Sequence, residues 1–225
     1  MQSTSPAEMA RTSEIAHAPT QGTNNMASMI IWFTLITVSL SAMIIAAGAG
    51  TPVLHMVMTA VISIGIALVA VFENSKLRSE GAAKSVIAAS TARSMGFVYV
   101  WGALAIAVTY LYILQWHEWW HFLTAFAVAA TLCLFYSNML TRDAEAGRVD
   151  APMLNLGRIL TWVQLVGMGI AMIGMLIDGK LSRYHNPKHM DWAAQNIFFF
   201  GALALALISA YALWVGRNDG KDGGA

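Results

Sequence analysis

The sequence predicts an all-α integral membrane protein with six transmembrane helices, arranged as three helical hairpins with both termini in the cytoplasm. Three observations predict this. Hydrophobic residues make up 57% of the 225-residue chain and charged residues only 11%, against about 25% charged in ordinary soluble domains. Six apolar runs are each close to the ~20 residues that a helix needs to cross the hydrocarbon core. The Lys and Arg residues fall overwhelmingly on one side of those runs, as the positive-inside rule requires of cytoplasmic loops.

Residues 1–25 are polar, small and rich in Ser, Thr and Ala. They lack the early basic region and apolar core of a signal peptide and read as a disordered cytoplasmic tail. The six-helix membrane domain occupies 26–216, with spans at 27–48, 52–72, 96–114, 119–140, 153–177 and 192–215. Residues 217–225 form a second cytoplasmic tail. The first, third and fifth connections are "GAGT", "QWHEW" and 178–191. The second, 73–95, is long and charged, and its "KLRSEGAAKSVIAASTARSMG" stretch is a candidate helical stem for the third span.

Ten of the thirteen Lys and Arg residues lie on the side of the tails and the even connections: Arg11, Lys76, Arg78, Lys84, Arg93, Arg142, Arg148, Arg158, Arg217 and Lys221. Only Lys180, Arg183 and Lys188 lie on the other side, which is therefore outer. The expected location is a bacterial-type inner membrane. The net charge of +1 gives no reason to expect a nucleic-acid partner. The single cysteine, Cys133, cannot form an intrachain disulfide.

The spans carry no acidic or basic residue near mid-membrane, which argues against an ion-coupled pump. Gln164, Gln195 and Asn196 remain as candidates for bonds between helices. Small residues four apart, Ala202/Ala206/Ala210, Gly167/Ala171 and Ala125/Ala129, are candidate sites of close helix approach.

Chemistry concentrates in the outer connections. Five of the six histidines, His55, His117, His121, His185 and His189, fall there, and the cytoplasmic connections 73–95 and 141–152 hold none. Neutral imidazole is the commonest metal ligand. His117 and His121 share a helix face if the fourth helix begins near residue 117. His185 and His189 flank Asn186-Pro187, which reads as a loop because proline disfavours helix before it. Glu118 and Asp191 are accompanying carboxylates, Glu118 as a ligand, a base or a group that orients an imidazole, and Asp191 as a ligand or helix cap. Met56, Met58 and Met190 lean the set towards copper.

The expected function is a transition-metal (copper, iron or zinc) or haem site on the outer face, belonging to a redox or oxygenase component or to a metal- or haem-handling factor. The alternative is a non-catalytic accessory or assembly subunit of a larger membrane complex, with other membrane proteins and the lipid bilayer as partners. Its outer rim would be an aromatic belt of Trp116, Trp119, Trp120, Tyr184 and Trp192. A third reading takes His117-Glu118-Trp119-Trp120-His121 as the HExxH pattern of zinc metalloproteases. Paired Trp at the membrane edge and the lack of an assigned third ligand weigh against it.

In layout the chain resembles, in one respect, the six-span haem-handling proteins of cytochrome c maturation, whose first and third outer loops carry histidines around a Trp-rich second loop. His55, the Trp116/Trp119/Trp120 cluster and His185 fall in corresponding places. The family's Trp-Asp pair and following basic segment do not occur here, so no residue roles are carried over.

Overall fold

Six long helices make up the secondary structure of the described residues, which are 21–48, 52–112, 119–146, 151–177 and 191–218 of a computed structural model. They are α1 (Gln21–Gly48), α2 (Pro52–Ser79), α3 (Lys84–Tyr112), α4 (Trp119–Glu145), α5 (Ala151–Ile177) and α6 (Asp191–Asn218). No strand occurs among these residues. Each helix contains a stretch long and apolar enough to cross a membrane.

The chain divides into two compact units, Met1–Val38 and Ser39–Ala225. The described part of the first is helical, and Thr37 donates its hydroxyl to the Phe33 carbonyl at 2.8 Å, the usual way a helical threonine satisfies its side chain. The second unit contains α2 to α6.

Within that unit α3 is the central helix. It packs on α4 most extensively, on α6 and α2, and narrowly on α5, while α6 also packs on α2 and α5. Its residues Val98, Trp101, Ala105 and Ile106 are no more than 1% exposed. The α5 span is the opposite case, with Ile159, Val163, Ile170 and Ile173 all exposed. An apolar helix face of this kind is at home against lipid, where exposure of Ile and Val carries no hydrophobic cost.

The helices are longer than their apolar runs. α2 has 28 residues, or ~42 Å at 1.5 Å per residue, against a hydrocarbon core of ~30 Å. The segment 73–95 is therefore mostly helix: α2 continues to Ser79 and α3 begins at Lys84, twelve residues before the apolar run. The charged residues do not end the helix. Gly81 does. Its φ of +73° puts it in the left-handed region, where a Cβ is costly. Gly81 N–H donates to the Arg78 carbonyl and Ala82 N–H to the Leu77 carbonyl, both at 2.9 Å. This 5→2 and 6→1 pair is a Schellman cap, and it turns the chain into α3 within four residues.

Two glycines bring α3 against α4. A Cβ on Gly96 would stand 2.8 Å from the Leu134 side chain, and one on Gly102 would overlap the Phe126 ring more closely still. Phe126 is held edge-on between Tyr99 and Phe198, at centroid distances of 5.7 and 5.6 Å. Ser137 donates to the Ala89 carbonyl at 2.7 Å, further along the same antiparallel contact. Of the alanine and glycine ladders, Ala202 and Ala206 are buried, whereas Ala210, Ala125, Gly167 and Ala171 are exposed.

Polar residues tie the remaining helices. Tyr99 Oη donates to Gln164 Oε1, and Gln164 Nε2 donates to Ser209 Oγ, both at 3.1 Å, joining α3, α5 and α6. Asn74 Oδ1 accepts from Thr91 at 3.3 Å, linking α2 to α3. In a bilayer such bonds are worth about 0.6 kcal/mol on average.

Candidate functional site

The helix order places the starts of α2, α4 and α6 at one end of the second unit, and with them His55, His121 and Asp191. The end of α2 and the starts of α3 and α5 lie at the other, with Lys76, Arg78, Lys84 and Arg158.

His55 sits in the first turn of α2 and is 1% exposed. A ring this deep requires hydrogen-bonding partners. Asn196 of α6, also 1% exposed, brings Nδ2 to 3.3 Å from His55 Nδ1. Thr59, one turn along α2, has its Oγ1 3.4 Å from the same nitrogen and donates its proton to the His55 carbonyl at 2.7 Å. Two arrangements satisfy this set. With the Asn196 amide donating, Nδ1 accepts and the ring proton sits on Nε2. With the amide turned over, Nδ1 donates to the Asn196 and Thr59 oxygens and Nε2 is unprotonated. Asn196, read from sequence only as a bond between helices, thus contacts the histidine across α2 and α6.

His121 lies in the first turn of α4 and is exposed. Its ring stacks on Trp120, centroids 3.6 Å apart and planes 28° from parallel. Trp120 is itself half exposed, at 52%. Asp191 is the first residue of α6. His117, Glu118, His185 and His189 lie outside the described residues, and so does the shared-face geometry expected of His117 and His121, since the described part of α4 starts at Trp119. Among the described residues no group of three or more His, Cys, Asp or Glu side chains is placed to hold a metal ion.

A second feature was not anticipated. A cavity of about 760 Å³ lies over α3 and α6 between α4 and α5. Its lining residues Leu132, Leu160 and Val163 are more than half exposed, so it opens outward along this gap. Tyr136 crosses the gap near the Lys/Arg-rich end, donating to the Met153 carbonyl at 2.7 Å. Cys133 is on the wall. The volume falls within the ~300–1,000 Å³ of small-molecule sites.

The chain matches no protein-family model, no curated protein and no solved structure.

Proposed function

We propose that this chain is a multi-pass protein of a bacterial-type inner membrane, with both termini in the cytoplasm, which holds a transition metal or haem at its outer, histidine-bearing end. The observation that carries the reading is the placement of His55, buried and oriented by Asn196 and Thr59 at the end where α4 presents His121. Proteins that use imidazole as a ligand fix the ring through its other nitrogen in this way. Chain connectivity adds to it. His117 precedes the first residue of α4 by two positions, and His189 precedes that of α6 by two. The charge asymmetry of the connections supports the orientation.

The ligand set proposed is His117 and His121 first, then His185 and His189, then His55, with Glu118 and Asp191 as carboxylates in support. Copper, iron and zinc all accept imidazole, and the neighbouring methionines favour copper. A bound metal would suit a redox or oxygenase component or a metal- or haem-handling factor. Metal and haem content of the detergent-purified protein tests the reading, measured for the native chain and for His117→Ala/His121→Ala. About one equivalent in the native chain and its loss in the variant is the expected result. Metal well below one equivalent in both overturns it and favours an accessory or assembly subunit with an aromatic rim.

A further inference from the structure

We infer that the cavity between α4 and α5 is a binding site for an anionic phospholipid of the leaflet at the Lys/Arg-rich end. This rests on the chain lying in a bilayer but not on a metal at the opposite end. Three properties of the cavity point to that ligand.

The first is charge. Its charged lining residues among those described are Arg78 from α2, Lys84 from α3 and Arg158 from α5, and no carboxylate is among them. Cations from three separate helices converge on one mouth, and basic pockets between membrane helices on the cytoplasmic side are sites for phosphate headgroups. The second is depth. From Arg158 to Met168, both on the wall, is ten residues of α5, or ~15 Å along the helix. That is half of a ~30 Å hydrocarbon core, the reach of an acyl chain belonging to one leaflet. The third is the character of the walls. Beyond the cations they are mostly apolar, contributed by residues such as Ile87, Leu132 and Leu160. At the deep end the polar groups Tyr99 and Gln164 are occupied with each other and with Ser209, so these two groups are already partnered where the methyl end of a chain would lie. A soluble anion would use only the mouth, and a neutral lipid would bring no negative charge to a cationic mouth.

Cys133 is the only cysteine in the chain and lines the cavity, so it reports occupancy. The full-length protein is reconstituted in phosphatidylcholine vesicles with or without phosphatidylglycerol, and the rate of Cys133 alkylation by a membrane-permeant maleimide is followed. Phosphatidylglycerol should slow alkylation, and inorganic phosphate added to phosphatidylcholine vesicles should not. Lys84→Gln and Arg158→Gln should each raise the phosphatidylglycerol fraction needed for half-protection by about five-fold, and by about 25-fold together, the surface contribution of one or two cations.

A second variant separates filling of the cavity from loss of charge. Gly167 is on the wall, and a Cβ there meets nothing within 4 Å. Gly167→Leu should fold and should purify without the phosphatidylglycerol that the native protein retains, measured by lipid extraction and mass spectrometry. Equal alkylation in both vesicle types overturns the inference. So does protection that survives loss of both cations, protection by inorganic phosphate alone, or undiminished lipid retention in Gly167→Leu. The protein remains in the membrane fraction under every one of these outcomes, so failure here is distinct from failure of the membrane reading.

Discussion

Replacing Gly102 by alanine should destabilise the bundle, while the same replacement at Gly65 should not. Both glycines lie inside helices, α3 and α2, so both gain the same helix propensity, up to about 1 kcal/mol. That term cancels in the comparison. What remains is steric. A Cβ at Gly65 has nothing within 4 Å, whereas one at Gly102 lands on Cε1 and Cδ1 of Phe126. Phe126 cannot swing aside cheaply, because Tyr99 and Phe198 hold its ring edge-on at 5.7 and 5.6 Å. Overpacking of this kind costs about 1–3 kcal/mol, and that is the predicted difference between the two variants. Unfolding in mixed micelles by titration with sodium dodecyl sulfate, followed by circular dichroism, measures it. Phe126→Leu should relieve the clash, making the double variant more stable than the summed singles predict by at least about 0.5 kcal/mol. Equal stability of Gly102→Ala and Gly65→Ala, or strict additivity with Phe126→Leu, would refute the α3–α4 contact described above.

Two further substitutions test the remaining ties. Asn196→Ala removes the 3.3 Å contact with His55 and should cost about 0.6 kcal/mol, with ~1.7 kcal/mol as a ceiling for bonds between membrane helices. A double-mutant cycle with His55→Ala should return a coupling of that size, and zero coupling would mean that the ring is not held from α6. Gly81→Ala forces a Cβ into the left-handed region at φ +73° and should lose about 1–2 kcal/mol. Gly81→Asn should lose less, since asparagine tolerates that conformation, and equal losses in the same titration would contradict the Schellman cap.

Much of the architecture was legible in the sequence because a bilayer imposes a length on apolar runs. Spans 27–48 and 153–177 read from hydropathy lie inside α1 and α5. Helix ends were less legible, because a helix outside the hydrocarbon needs no apolar residue. Only Gly81 in 73–95 stops one, so the charged segment folded largely into α2 and α3. Gln164 and Asn196 bond between helices as their isolation in apolar runs suggested. The small-residue ladders were a weaker guide. Gly167 and Ala171 are exposed, while the close approach is made by Gly96 and Gly102, six residues apart and matched to Leu134 and Phe126. A four-residue rule on one helix is blind to the side chain that arrives from another.

The candidate site divides in the same way. That His55, His121 and Asp191 share one end follows from counting spans. That Asn196 and Thr59 meet one nitrogen of His55 depends on the facing of α2 and α6, which no periodicity encodes. The cavity was the least legible feature, because its cations come from three helices and its volume lies where α4 and α5 are bridged only near one end, by Tyr136.

The most direct test of the proposed metal site is X-ray absorption at the metal edge of the purified full-length protein. A stoichiometric metal with imidazole nitrogens at about 2.0–2.1 Å, as for zinc–histidine, and fewer such nitrogens in His117→Ala/His121→Ala, is the predicted result. The absence of a stoichiometric metal, or a ligand shell without imidazole, would contradict it.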